Sequence, residues 1–353
     1  MNPKVSIIIL NWNGWKDTIE CLESLYQITY PNYDVILIDN GSEDESIEKI
    51  KEYCEREIKV ESNFFEYDPS NKPIKIIEYR REEAEAGGGK EGEISDLPSN
   101  RKLIIIKNEK NYGFAEGNNI GMRYALKALN PDYILLLNND TVVDKEFLSE
   151  LVKVVESDEK IGIVGAVNYY YDDTKKIWYS GGVMNWATGK LADITRNRVD
   201  NGQFEEIKEV DEVAGSSLLI KTEVINKIGL LYSDYFCYFE ETEWCAKAKK
   251  EKYLVYANFN SKIWHKVSSS SKKIYAFEVY YLTRNRFLFL YRNVTKLQFI
   301  LFLFHFFLLD FILTTGSLLV LHKNSKLLKT YYKAIYDGIR LSLIRDLKNK
   351  KGE

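Results

Sequence analysis

The sequence predicts an α/β fold, in which a doubly wound, mixed and mainly parallel sheet is flanked by helices and followed by membrane-associated helices. Short unbroken apolar runs, of the kind that form strands buried on both faces, alternate with segments of helical spacing. Several of these runs end abruptly in short polar side chains, where the ligands of parallel sheets bind. Near the C-terminus, the 25 residues from Leu297 to Leu321 are almost all apolar, which is long enough to cross a bilayer.

The strongest of the buried runs extends from Tyr133 to Leu137 and stops at Asn138-Asn139-Asp140. The pattern predicts further strands and helices on both sides of it. Strands are predicted at 5–10, 35–38, 102–106, 161–167 and 213–220, with a last strand-like segment that ends with 263–267. Helices are predicted at 17–26, 46–54, 120–129, 145–156 and 222–228. The alternation of the two types is typical of a doubly wound sheet.

Two units are predicted, a globular unit at 1–293 and membrane-associating helices with a basic tail at 294–353. Within the first unit, residues 61–100 are expected to form a flexible acidic insertion. The acidic and glycine-rich run from Glu82 to Glu93 has the low complexity of a solvated loop.

The charge distribution bears on partners and location. The formal net charge is −3, but nine Lys and Arg stand against three Asp and Glu from His322 to Glu353. A basic tail suits nucleic acid or an anionic membrane face, and the apolar run before it favours the membrane. The N-terminus lacks the pattern of a signal peptide, and the four cysteines show no metal-like spacing. We therefore expect attachment to the cell membrane, with the globular unit on the cytoplasmic side and no nucleic-acid partner.

Polar clusters follow three of the predicted strands. Asn138-Asn139-Asp140 offers one carboxylate and two amides, which suit a divalent cation that carries a phosphorylated ligand, although an Asx-rich turn explains the same residues. Asn11-Trp12-Asn13-Gly14 and Asp39-Asn40-Gly41-Ser42 end the first two strands. Because the carboxyl ends of parallel strands share one edge, several such clusters indicate a ligand site there.

Two later segments are candidates for acid–base chemistry and metal binding. Glu240-Glu241-Thr242-Glu243 places three carboxylates among aromatic residues, where raised pKa values suit a general base, although a helix N-terminus also favours Glu. His265 lies in the last strand-like segment and is either a metal ligand or a structural residue. Earlier in the chain, Gly113 and Gly117 permit close approach of the backbone to a ligand.

Taken together, these segments resemble the family 2 glycosyltransferases, especially their rhamnosyltransferase-like members. The likeness covers residues 4–293 apart from 61–100. It is carried, in order, by Val5–Gly14, Asp39–Ser42, Asn111–Asn119, Leu137–Thr141, Phe239–Glu241 and Tyr281-Leu282-Thr283-Arg284-Asn285-Arg286.

The resemblance implies a GT-A fold, a nucleotide-sugar donor, inversion at the anomeric carbon and a divalent metal, Mg²⁺ or Mn²⁺. It places Asp140 and His265 at the metal and Glu241 at the position of the usual aspartate base, with Glu240 as the alternative. Arg284 and Arg286 are further candidates for binding a phosphate of donor or acceptor, with neutralisation of the inner leaflet beside Leu297 as the alternative. The expected nucleotide-sugar site comprises Asn11, Trp12, Asp39, Asn40, Gly113, Asn118, Asn119, Asn138, Asn139 and Arg284.

The apolar segment narrows the expected acceptor to a polyprenyl-linked glycan, which is presented at the surface of membrane lipids. The alternative from another class is a catalytically silent, membrane-bound nucleotide-binding or scaffold protein with the same fold. A nucleotidyltransferase is disfavoured, because Asn11-Trp12-Asn13-Gly14 contains no basic side chain for a triphosphate.

Overall fold

The computed structural model describes residues 2–193, 195–204, 206–267, 272–321 and 324–349. The strands are β1 (Val5–Asn11), β2 (Tyr33–Asp39), β3 (Lys75–Arg80), β4 (Lys102–Lys107), β5 (Tyr133–Asn138), β6 (Thr141–Val143), β7 (Ile161–Tyr170), β8 (Ile177–Tyr179), β9 (Val183–Asn185), β10 (Lys190–Ala192), β11 (Ile207–Glu209), β12 (Ser217–Lys221) and β13 (Leu254–His265). The helices are α1 (Trp15–Leu25), α2 (Ser46–Cys54), α3 (Arg81–Ala86), α4 (Gly113–Tyr124), α5 (Phe147–Glu156), α6 (Thr222–Ile228), α7 (Glu240–Lys250), α8 (Lys272–Asn293), α9 (Lys296–Val320) and α10 (Ser325–Asn349).

The central sheet is mixed and mainly parallel, as the sequence predicts. Its strands follow the order β11-β13-β7-β12-β5-β1-β2-β4-β3, with β6 and β8 attached to β13 and β7. Strand β12 runs antiparallel to both of its neighbours, whereas β5, β1, β2, β4 and β3 are mutually parallel. Strands β9 and β10 form a separate hairpin.

The strands β1, β2 and β5 form where they do because their apolar residues serve both faces of the sheet. Ile7 and Ile9 pack into one hydrophobic core, and Ile8 packs into the other, on the opposite face. Burying each such side chain contributes about 1.5–3 kcal/mol. The backbone is therefore held firmly up to the point at which the apolar residues stop, and the polar residues follow at that edge.

The expectation of a flexible insertion at 61–100 is wrong. Residues 75–80 form strand β3, which pairs in parallel with β4 at the edge of the sheet, and α3 follows it. The glycine-rich run is tied down by Glu91, which accepts hydrogen bonds from the hydroxyls of Tyr79 (2.8 Å) and Tyr124 (2.7 Å) and from the backbone N–H of Gly89 (2.8 Å). These long-range contacts outweigh the acidic, low-complexity composition.

The C-terminal part is helical, as expected. Helix α9 is long and apolar enough to cross a membrane, by length and composition, and only 17% of its most apolar window is buried inside the structure. Asp310 in this helix faces protein, where it pairs with Arg286 (2.7 Å) and Lys190 (2.9 Å). The last residues of the basic tail, 350–353, lie outside the described residues.

The Glu91 contacts generate a prediction for the 61–100 segment. Glu91→Ala leaves two buried tyrosine hydroxyls without an acceptor, at a cost of about 1–3 kcal/mol. We expect the local opening of this segment to rise accordingly, so that trypsin cleaves after Lys90 roughly 10- to 100-fold faster, as measured by mass spectrometry.

The matched control is Glu93→Ala, which removes only an exposed pair with Lys75 at 3.8 Å and should leave cleavage unchanged. Equal cleavage rates in both variants would show that Glu91 does not order the segment.

Candidate active site

The register of the parallel strands aligns the polar residues that end them. Asn11 of β1 is directly opposite Asp39 of β2, and Leu10 of β1 is opposite Asn138 of β5. The predicted clusters after β1, β2 and β5 therefore share one edge of the sheet, here called the polar edge. Antiparallel β12 begins there as well, since the N–H of Asn138 donates to the carbonyl of Ser216 (3.1 Å).

At the ends of β1 and β2, the side chains hold one another in place. The Asn11 amide donates to the Asp39 carboxylate (3.1 Å) and to the Ser42 hydroxyl (3.1 Å). The indole of Trp12 is 56% exposed beside them. This arrangement leaves a fixed carboxylate and an uncovered ring next to each other.

Asn40 organises the neighbouring loop. Its amide donates to Asn111 Oδ1 (3.0 Å) and to the carbonyl of Gly113 (3.2 Å), and its oxygen accepts from the amide of Asn108 (3.0 Å). Because all of these bonds are internal, Asn40 shapes the loop that leads into α4.

Asp140 and His265 lie side by side at the polar edge. The Oδ1 of Asp140 is 3.0 Å from Nε2 of His265, which is brought there by the pairing of β13 with β6. Burial opposes ionisation of Asp140, but the charge and hydrogen bond of His265 hold the pKa of Asp140 below its usual value. Asp140 is therefore a carboxylate at neutral pH.

The residues fit a cation that is completed by ligands from outside the protein. Nδ1 of His265 is buried without a hydrogen-bond partner among the described residues, and the ring packs edge-on against Trp178, with centroids 4.8 Å apart. The described residues contain no group of three His, Cys, Asp or Glu arranged for a metal. A carboxylate and an imidazole supply two ligands, so phosphate and water oxygens must supply the others.

Asn139 ties the turn after β5 to the start of α1, through hydrogen bonds from its amide to the hydroxyl of Thr18 (3.0 Å) and the carbonyl of Gly14 (3.5 Å). The side chain thus fixes the turn that carries Asp140.

Glu240 and Glu241 begin helix α7 and reach the polar edge through the segment 214–216. A Cβ at Gly215 would lie 3.8 Å from Cβ of Glu241, and the next residue, Ser216, is hydrogen-bonded to Asn138. Burial raises the pKa of Glu241, opposed by hydrogen bonds from backbone groups that include Gly215. Burial and the Glu241 charge raise the pKa of Glu240 further.

Glu243, the third carboxylate of the segment, is fully engaged elsewhere. It forms ion pairs with Arg292 (2.8 Å) and Lys247 (3.3 Å). Although burial opposes ionisation, these partners lower the pKa of Glu243. Glu243 is therefore a structural anion. Glu240 and Glu241 form no ion pair with a described residue.

One further buried carboxylate close to Glu241, that of Glu212, was not predicted from the sequence. It lines, together with Glu241, a cavity of about 540 Å³ that extends to Phe306 of α9. Burial, and then the charge of Glu241, raise the pKa of Glu212 to about 8, while the Tyr179 hydroxyl donates a hydrogen bond to it. A lone Glu between Asp211 and Val213 carries no sequence signal, because its burial depends on strands distant in the chain.

Comparison with known proteins decides the family. The model of glycosyl transferase family 2 matches residues 6–70 and 92–229, which is more than half of the chain. The chain belongs to glycosyl transferase family 2. The stretch between the two matched segments, 71–91, carries β3 and α3.

Two relatives of this chain are named as sugar transferases. The chain is 27% identical over 201 residues to the low-salt glycan biosynthesis hexosyltransferase Agl10 of Haloferax volcanii, covering 56% of this chain and 62% of that protein, less than two thirds of its length. It is 26% identical over 249 residues to the dTDP-rhamnosyl transferase RfbF of Shigella flexneri, covering 68% of this chain and 79% of that protein.

Among solved structures, it is similar to the mannosyltransferase PcManGT from Pyrobaculum calidifontis in complex with GDP-Man and Mn²⁺. The TM-score is 0.54 at 13% identity, with 97% of this chain and 88% of that chain covered. The likeness confirms the predicted GT-A fold.

Four residues expected in the donor site, Gly113, Asn118, Asn119 and Arg284, form hydrogen bonds within the protein. Helix α4 begins at Gly113, earlier than the predicted 120, so that the expected loop 111–119 is largely helical. The amide of Asn118 donates to the carbonyl of Phe114 (2.9 Å), and the amide of Asn119 bonds the backbone of Leu231 in both directions. Arg284 donates to the carbonyls of Asp234 and Tyr235 (2.7 Å each). Gly113 contacts Asn40 at the polar edge, since its carbonyl accepts from the Asn40 amide (3.2 Å).

The raised pKa of Glu212 yields a prediction about stability. An acid whose pKa rises on folding stabilises the fold below its unfolded pKa, and this stability is lost as the pH rises through the folded pKa, here about 8. Glu212→Gln removes this loss, because the amide does not ionise. We expect the free energy of unfolding of the variant, measured in urea, to match that of wild type at pH 5 and to exceed it by roughly 2–4 kcal/mol at pH 8.

The control is Glu209→Gln, an exposed carboxylate that pairs with Lys249 at 3.8 Å and should leave the pH profile unchanged. A Glu212→Gln profile that parallels wild type from pH 5 to pH 8 would contradict the assignment.

Proposed function

We propose that this chain transfers a sugar from a nucleotide-sugar donor to a polyprenyl-linked glycan at the cytosolic face of the cell membrane, with inversion and with a divalent metal. The observation that carries the proposal is the shared edge. An ionised Asp140 beside His265, and Glu241 with a raised pKa, are joined through Asn138 and the segment 214–216. Nucleotide sugars present both a diphosphate and an electrophilic carbon, which need such a pair of sites.

The donor side is assigned to the ends of β1, β2 and β5. Trp12 offers an exposed ring for a base, and Asp39 offers a carboxylate for ribose or base groups. Asp140 and His265 would hold Mg²⁺ or Mn²⁺ against the diphosphate. When bound, the cation stabilises the negative charge of the departing diphosphate.

The acceptor side is assigned to the 540 Å³ cavity. Glu241 takes the proton of an acceptor hydroxyl as its oxygen attacks the anomeric carbon. A new carbon–oxygen bond forms, the bond to the diphosphate breaks on the opposite face, and a nucleoside diphosphate leaves. Burial of Glu241 supports its assignment as the base. It raises the pKa of the carboxyl group towards neutral pH, which makes the carboxylate a stronger base.

The C-terminal helices support a lipid-linked acceptor. The cavity that contains Glu241 is also lined by Leu282, Phe306 and Thr314, so it runs from the base to the apolar helix α9. Leu301, Phe304 and Leu308 of α9 are each more than half exposed. A helix of a soluble core would bury such residues, whereas contact with lipid explains their exposure.

The first test separates the two sites. We expect Asp140→Asn to abolish the rise in melting temperature that Mn²⁺ produces in the presence of UDP, GDP or dTDP, because it removes the anionic ligand. We expect Glu241→Gln to keep that rise and to lower transfer by roughly 100- to 10,000-fold, because it removes only the base.

Asp172→Asn, an exposed acid on the β7–β8 turn, is the control and should match wild type in both measurements. Full turnover by Glu241→Gln would contradict its role as base. Wild-type binding of donor without transfer to any lipid-linked glycan would instead favour the catalytically silent alternative.

The second test addresses the membrane. Phe304→Glu combined with Leu308→Glu puts two charges on one exposed face of α9, and each charge costs about 2.5–3.5 kcal/mol inside a bilayer. We expect at least 100-fold weaker flotation with vesicles of phosphatidylethanolamine and phosphatidylglycerol.

Ile207→Glu, which charges a 42% exposed side chain on the edge strand β11, should float like wild type. Unchanged flotation of the α9 double variant would contradict membrane attachment through this helix.

A further inference from the structure

The five residues before Glu240, at the start of the helix that carries the candidate base Glu241, form a strained bend, here called the 235–239 bend. Phe236 has φ 64° and ψ −57°, and the N–H of Cys237 donates back to the carbonyl of Tyr235 (2.7 Å), which makes a rare γ-turn. Tyr238 and Phe239 also have positive φ, 69° and 76°. Each such conformation of a bulky residue costs about 1–3 kcal/mol and persists only where neighbouring groups enforce it.

The enforcing groups come from helix α8. The amide Nδ2 of Asn285 is within hydrogen-bond distance of three carbonyls of the bend, those of Tyr235 (3.0 Å), Cys237 (2.8 Å) and Tyr238 (2.7 Å). Asn285 is fully buried. Its neighbour Arg284 adds bonds to the carbonyls just before the turn. The Asn285 side chain therefore supplies donors to the carbonyls of Cys237 and Tyr238, and it adds a contact to the Tyr235 carbonyl, which also accepts from Cys237 and Arg284.

The bend contacts both halves of the candidate site. Its carbonyl at Phe236 accepts the N–H groups of Phe114 (2.6 Å) and Ala115 (3.2 Å), the first turn of α4. Gly113 leaves room for the Phe236 ring, since a Cβ there would lie 2.5 Å from it. At its other end, the bend leads directly into Glu240 and Glu241.

We propose that Asn285 is a positioning residue, which fixes the 235–239 bend and thereby sets Glu241 relative to the N-terminus of α4 and the donor side. The proposal rests on the proposed function only for its catalytic consequence. An amide is required at this position because it directs N–H groups at carbonyl oxygens. A carboxylate of the same shape would direct negative oxygens at them.

The test compares Asn285→Ala, Asn285→Asp and a control on the same helix. Asn293→Ala is the matched control, because Asn293 has no hydrogen bond to the bend among the described residues: its amide donates to the carbonyl of Phe289, one turn earlier (3.0 Å), and its oxygen accepts from Lys250 at the far end of α7 (2.9 Å). Amide hydrogen exchange is measured on peptides that contain Phe114, Ala115 and the 235–239 bend. We expect both Asn285 variants to lose at least 10-fold protection there and the control to keep it.

Steady-state kinetics with the nucleotide sugar that wild type turns over form the second readout. We expect kcat to fall on the order of 100-fold in the Asn285 variants, because a base misplaced by about 1 Å loses that much. The donor KM should change less than about 3-fold, since Asp140 and the β1 and β2 ends are untouched. A general loss of folded structure would not lower kcat about 100-fold per folded molecule while leaving the donor KM nearly unchanged.

Unchanged protection together with unchanged kcat would overturn the proposal. Failure of both Asn285 variants to fold would also overturn it, because Asn285 would then determine the fold and not the geometry of the site. Loss of protection in a protein whose wild type transfers no sugar would retain the positioning role and reject the proposed function.

Discussion

The register between parallel strands β1, β2 and β5 is the constraint on which the rest of the structure depends. It is set by apolar side chains that must fill cores on both faces, so a slip by one residue would exchange the faces of Ile7 and Ile8. With that register fixed, Asn11 is opposite Asp39, and Asn138 is level with Leu10. The hydrophobic core therefore determines where the polar residues meet, although it has no contact with a substrate.

The polar edge separates carboxylates by their surroundings. Asp140 has a lowered pKa because an imidazole lies beside it, whereas Glu241 has a raised pKa because it is buried. A lowered pKa suits an anion that must hold a cation, and a raised pKa suits an acid that must accept a proton near neutral pH. A carboxyl group can take either role, but only if the fold gives Asp140 and Glu241 different surroundings while it keeps both near the polar edge.

The features that sequence predicted are those encoded locally. An apolar run that stops at Asn138 predicts a buried strand and its polar end without reference to any other segment. The internal partners of Arg284 could not be predicted in this way, because they are the carbonyls of Asp234 and Tyr235, 50 and 49 residues away. Likewise, the order in 61–100 depends on the contact of Glu91 with Tyr124, and Glu212 contacts the distant residues Tyr179 and Gly182. Contacts between distant segments leave no periodic signal.

Three consecutive residues of helix α8 connect these parts. Arg284 and Asn285 bind the bend that precedes the candidate base, and Arg286 forms the ion pair with Asp310 of α9. Because successive residues on a helix point about 100° apart, one turn of α8 contacts the catalytic loop on one side and the apolar helix on the other. Asp310 in an apolar helix is tolerable only with such a partner. The ion pair therefore anchors α9 to the same turn of α8 that holds the bend before the candidate base, and the proposed lipid-linked acceptor, lying along α9, would reach Glu241 from a fixed direction.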